Sequence, residues 1–166
     1  KDRQYRPSRD PESNRQYYGG RKRGIPATKG DLSSVETTEL LEIVARGEDT
    51  RQQFKGDITN ASSLAAEIVA MANSGGGKLL LGVANDGTVQ GFDRADIDRL
   101  NQLIANASSQ LVRPPINPLT ENVSVSTGVV IVVTVPDGLT KPYTDNNGVI
   151  WVKSGSDKRR VTAREE

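Results

Sequence analysis

The 166-residue chain contains no cysteine and no histidine. Zinc sites of the Cys/His type, Ser-His-Asp triads and thiol nucleophiles are therefore excluded within it. The lack of cysteine agrees with a cytoplasmic address, where disulfides are rare. No apolar run approaches the roughly 20 residues that a helix needs to span a bilayer, so no membrane partner is expected. Hydrophobic residues make up only 34% of the chain, and the shortage is uneven. Residues 1–30 hold a single aliphatic of the Ile, Leu or Val type, Ile25.

Charge is uneven too. Residues 1–30 carry nine Lys or Arg against three acids, a net charge of +6. The whole chain is +1, which leaves residues 31–166 at −5. A segment so poor in apolar side chains cannot offset the roughly 1–2 kcal/mol per residue lost on ordering a backbone. Residues 1–30 therefore read as a disordered basic arm or linker ahead of a folded domain over 31–166. Arginine and tyrosine alternate with proline and glycine in RQYRPSRDPESNRQYYGGRKRG. Arginine neutralises phosphate and tyrosine stacks on bases, so Arg21, Lys22 and Arg23 are candidate nucleic-acid contacts. A solvated linker is the plain alternative.

Order is predicted to begin near Asp31. Ser33 and Glu36 have capping-box spacing, Leu40, Leu41 and Val44 follow at helical intervals, and Gly47 is placed to end the helix. A short extended segment, TRQQFKGDI, sets Arg51, Gln53 and Lys55 on one face and Phe54 on the other. Asn60 or Ser62 caps a second helix whose buried stripe is Leu64, Ile68, Met71 and Ala72. Lys78 to Ala84 is apolar and of strand length, as in a strand covered on both faces. Asp86-Gly87 signals a hairpin with Thr88–Phe92 returning. Asp93 caps a third helix, two strands follow at 122–126 and 129–135, and residues 136–148 form a loop. A last strand, Val149–Lys153, carries Trp151 and Lys153 on one face, and the basic run Lys158-Arg159-Arg160 comes after it. Thr162-Ala163-Arg164-Glu165 reads as the first turn of a helix, so the C-terminal end is expected to be truncated.

The stretch ANSGGGKLLLGV, 72–83, sets three glycines beside Lys78. A phosphate-binding P-loop runs strand, loop, helix, which aims free helix N–H groups at the anion. Here the order is helix, loop, strand, so the loop meets the carbonyl end of the dipole. The plain reading is a tight turn that needs positive φ; close approach of the backbone to a ligand or a second subunit is the other.

Three segments, QQFKGDI (52–58), IVAMANSGGGKLLLGVANDGTVQGF (68–92) and GVIWVKSGSDKRRVTAREE (148–166), resemble the AlbA_2 or Schlafen-type DNA-binding domain. The resemblance runs in order from about residue 34 to 166. It implies an α/β (α+β) fold with a mixed β-sheet flanked by helices, usually a module of a larger regulator or defence protein.

In animal Schlafen proteins the resemblance also implies RNA cleavage by clustered carboxylates holding a divalent cation. This chain fits that pattern in part. Glu48 matches the first Glu, Gln53 stands where the second would be, and Ala84 stands at the strand-end Asp, with Asp86 two residues on. Gln offers a metal only a neutral carbonyl, and Ala offers nothing. Under the nuclease reading Glu48, Asp57 and Asp86 would carry catalysis with Mg²⁺ or Mn²⁺; otherwise no metal or cofactor is expected. Binding needs fewer groups. Arg51, Lys55, Lys78, Lys153, Lys158, Arg159 and Arg160 are the candidate contacts to DNA or RNA, chiefly through phosphate and so with weak sequence preference. Their alternative role is that of ordinary strand charges that discourage edge pairing. A third reading is an assembly module, a homo-oligomer joined through an apolar edge such as VVIVVTV, 129–135; that run reads more simply as a core strand.

Overall fold

The computed structural model of the chain describes residues 36–162. A four-stranded mixed sheet forms the centre, in the order β1 (Gln52–Lys55), β2 (Gly77–Leu81), β5 (Gly128–Val135), β4 (Leu119–Val125). β1 and β2 run parallel, while β5 is antiparallel to both of its neighbours. Parallel neighbours need a crossover, and α2 (Ala61–Asn73) supplies it. Alternation along the strands divides the core in two. Leu79, Leu81, Ile131, Val133 and Val135 face α2 and α3 (Arg94–Asn106). Phe54, Leu80, Val130 and Val132 face Leu40 and Ile43 of α1 (Thr37–Arg46). The apolar run of β2 is thus covered on both faces, as its composition predicts. VVIVVTV is likewise an interior strand and not an edge.

Gly47 ends α1 with φ +80, and its N–H bonds to Val44 O. Asn60 caps α2, its Oδ1 accepting from the N–H groups of Ser62 and Ser63, and Asp93 caps α3 through Asp96 N. Ser33 and the end of the chain from Ala163 lie outside the described residues, as does the arm with Arg21, Lys22 and Arg23. The predicted returning strand at 88–92 is reduced to two bridges, Val83 to Val89 and Phe92 to Val129. Gly82 (φ +100) and Gly91 (φ +70) bend the chain away from regular pairing there.

α3 continues into a π-turn, Ala107–Leu111, and β3 (Val112–Arg113) pairs with β6 (Thr144–Asp145). The predicted last strand starts later, as β7 (Trp151–Ser154). The basic run expected after it is itself a strand, β8 (Asp157–Arg160), closing a hairpin across Gly155 (φ +62). Nine consecutive residues of α2, Leu64–Ala72, are buried, because the sheet lies on one side of the helix and β7 packs on another. The alanines in that run allow the close approach.

Candidate nucleic-acid interface

One charged residue interrupts the buried run of α2. Glu67 is 3% exposed and its Oε2 has no hydrogen-bond partner. Its Oε1 lies 3.4 Å from Lys55 Nζ at the end of β1 and 2.7 Å from Lys158 Nζ on β8. Glu67 brings the two ammonium groups together: Lys55 reaches it from the end of β1, and Lys158 from the β7–β8 hairpin that packs on the same helix. A buried carboxylate needs a partner, and two lysines reaching in from the rim supply it. Between them opens a hollow of about 330 Å³ at the N-terminal end of α2, floored by Glu67 and bordered by Asp57, Asn60 and Ser63.

Deeper in, Lys153 of β7 is 9% exposed. Its ammonium donates to Gln53 Oε1 and to Ser156 O. Burial pushes this lysine below its ordinary pKa, against the opposing pull of Glu67 and Glu48. Gln53 passes the chain of bonds on, its Nε2 donating to Glu48 Oε1 at 3.2 Å, and Phe54 N donates to the same oxygen at 2.8 Å. The oxygen of Gln53 thus faces a fixed internal cation. Among the described residues no three Asp or Glu side chains come together to hold a metal. Glu48, Asp57 and Asp86 are apart and otherwise engaged. Asp57 pairs with Arg99 at 2.9 Å. Asp86 takes Thr88 N in its turn, and its bonds to Thr88 hold its carboxyl below the usual range. The donor set does not fit a divalent cation.

The hairpin register sets Trp151 opposite Arg160 and Lys153 opposite Lys158, so these four side chains share one face. Val152 and Arg159 face the other way, which separates Arg159 from its two neighbours in sequence. Lys158 and Arg160 sit over the Trp151 ring, at 5.6 and 5.2 Å from its centroid. The indole N–H donates to Asp145 Oδ2 at 2.9 Å. A second cleft of about 480 Å³ runs beside Trp151 and shares Ser63 and Lys158 with the hollow above Glu67.

Arg51 and Lys78 form a separate group at the start of β1. Arg51 Nη1 donates to Gly75 O and Lys78 Nζ to Thr134 Oγ1, and both line a third concavity with Arg46, Glu39 and Asp49. Four residues of extended chain separate Arg51 from Lys55, roughly 13 Å at about 3.3 Å per residue.

Glu67, Asn73 and Asp145 organise the site and were not among the sequence candidates. Asn73 donates to Tyr143 O and Trp151 O and accepts from Tyr143 N, all within 2.9 Å. Ser74 Oγ accepts from Lys153 N. The start of the glycine stretch thus pins β7 to α2. The glycines answer to geometry: Gly75 and Gly76 have φ of +91 and +80. A Cβ on Gly76 would lie 2.7 Å from Val135 O, and one on Gly77 2.8 Å from Arg51 O. The close approach is to the chain's own backbone. A charge inside an otherwise apolar helix run was the available signal for Glu67.

Among the described residues, no helix is long and apolar enough to cross a membrane. No curated protein matches the chain. Solved structures that share its fold include the following two. One is the DIP2311 protein from Corynebacterium diphtheriae, with TM-score 0.52 and 23% identity over 75% of this chain; the match spans 26% of that protein's length. The other is the N-terminal domain of a protein from Nitrosomonas europaea named as related to the ATP-dependent DNA helicase RecG. It has TM-score 0.54 and 21% identity over 80% of this chain and 98% of that domain. The model of the Schlafen, AlbA_2 family matches residues 48–162, which include Glu48, Gln53, Glu67 and the whole β7–β8 hairpin, and the chain belongs to that family.

Proposed function

We propose that this domain binds nucleic acid through its phosphate backbone, without sequence selectivity and without catalysis, as a module of a larger regulator or defence protein. The observation that carries the reading is the convergence of Lys55 and Lys158 on one carboxylate oxygen. Two ammonium groups against a single Glu67 leave an excess positive charge at the rim of a hollow wide enough to admit a phosphate. Arg160 extends that charge along β8. Because Glu67 is buried, it anchors the two lysines from below while their outer sides stay in solvent. Such fixed cations lose less side-chain freedom on meeting a phosphate than free lysines do.

Family membership and the name of the Nitrosomonas relative support a nucleic-acid role of some kind. The net charge of −5 over residues 31–166 makes segregation of charge, and not its total, the basis of binding. The reading calls for no cofactor; Oε1 of Glu48 and Oε1 of Gln53 each accept from protein donors. Fluorescence anisotropy with DNA and RNA probes tests it: Lys55→Gln and Lys158→Gln each weaken binding to every probe alike. An affinity unchanged in both variants would refute the reading.

A further inference from the structure

We infer that the cleft beside Trp151 receives one unpaired nucleobase, so that the domain selects single-stranded DNA or RNA over duplex; this rests on the nucleic-acid reading above and specifies its ligand. The cleft holds about 480 Å³ between the N-terminal end of α2 and the hairpin. That volume lies within the range of small-ligand sites. Its wall is a stack already begun, with the indole of Trp151 carrying the Arg160 guanidinium 5.2 Å from its centroid. Guanidinium planes and indole rings are the surfaces on which unpaired bases stack.

The ring is fixed before any ligand arrives. Its N–H is tied to Asp145 Oδ2, and Asp145 is 7% exposed. The other oxygen of Asp145 accepts from the backbone N–H groups of Asn147 and Val149. A platform held this way loses little freedom when a base stacks on it. Lys158 borders both this cleft and the hollow above Glu67. A base in the first therefore places its own backbone phosphate near the second, where Lys55 and Lys158 wait. In a duplex both faces of each base are covered by its neighbours and its pairing edge is engaged, so only an unpaired nucleotide can use both hollows.

Trp151 is the single tryptophan of the chain, so emission excited selectively at tryptophan, away from the four tyrosines, reports on this cleft. The full chain is titrated with oligothymidylate and oligouridylate of about a dozen nucleotides, and with duplexes of equal length, following anisotropy and tryptophan emission together. Both single strands are expected to quench Trp151 and to bind at least about fivefold more tightly than the duplexes. Arg160→Gln, which leaves the core untouched, should erase most of that preference, and Trp151→Leu should erase it too. The stronger of the two single-strand responses identifies DNA or RNA as the ligand. Binding that raises anisotropy while emission stays constant, or equal affinity for duplex, overturns this inference and leaves the phosphate reading standing. If no probe binds at all, the phosphate reading falls with it.

Discussion

Lys153 on β7 donates its ammonium proton to Oε1 of Gln53 on β1, across a hundred residues of sequence. The bond ties the hairpin to the first strand of the sheet and sets a positive charge between Glu48 and Glu67. It also has a pH signature. Burial lowers the folded-state pKa of Lys153 below the ordinary value of 10.5, so above the lowered value the unfolded chain binds a proton that the folded chain does not. Folding stability from this group therefore rises as pH climbs from the lowered pKa toward 10.5. Urea unfolding across that alkaline window should show the unmodified chain gaining on Lys153→Met. In Gln53→Glu, where a carboxylate faces the ammonium, the gain should shrink. A difference between the unmodified chain and Lys153→Met that does not change with pH would contradict this assignment.

Asn73 joins the end of α2 to both Tyr143 and Trp151. Asn73→Ala strands two carbonyls and one N–H at a half-buried position. The expected loss is about 2–3 kcal/mol, read from the shift in the urea midpoint. Asn73→Asp should fare no better, because it keeps the acceptor and removes both donors. A loss below about 0.5 kcal/mol would mean that water replaces the bonds without penalty.

Gly76 and Gly155 both have positive φ, but their surroundings differ. A Cβ on Gly76 would strike Val135 O and Asp137 N at under 3 Å, whereas one on Gly155 would meet nothing within 4 Å. Gly155→Ala should therefore cost only the backbone term, about 1 kcal/mol. Gly76→Ala adds a clash with backbone that has no room to give and should cost about 2–5 kcal/mol. Equal losses in the two variants would show that φ alone explains the glycine stretch.

Glu67→Gln removes the negative charge under Lys55 and Lys158 while keeping the side chain's shape. Even with the full screening of bulk water, one unit charge about 7 Å from a bound phosphate is worth roughly 0.6 kcal/mol. Nucleic-acid affinity should rise about two- to threefold at low salt. A weaker affinity would mean that the anchoring of the two lysines by the carboxylate outweighs its repulsion of the phosphate.

The sheet was legible because β2 and β5 are apolar runs of strand length between turn residues. Asn60 and Asp93 announced two helix starts by their chemistry. β8 was not legible, since Asp157–Arg160 contains no apolar residue, and its pairing comes from the register that Gly155 imposes on β7. Lys55 and Lys158 could be picked out as cations. Their convergence could not, because it depends on α2 carrying Glu67 to the place where β1 and β8 meet. Gln53 was marked as a departure from the nuclease pattern, but its partner Lys153 becomes evident only when the fold brings the Lys153 side chain to it. Arg159 shows the converse: adjacent to Lys158 and Arg160 in sequence, it is turned away from both by strand alternation.

The most direct test of the account is a salt titration of the full chain on matched DNA and RNA probes, beside the same titration of Lys55→Gln/Lys158→Gln. For the unmodified chain, log K should fall linearly with log salt concentration, and the double variant should reduce the slope by about 1.5–2. A slope that is the same in both proteins would contradict the claim that these two lysines grip the phosphate backbone.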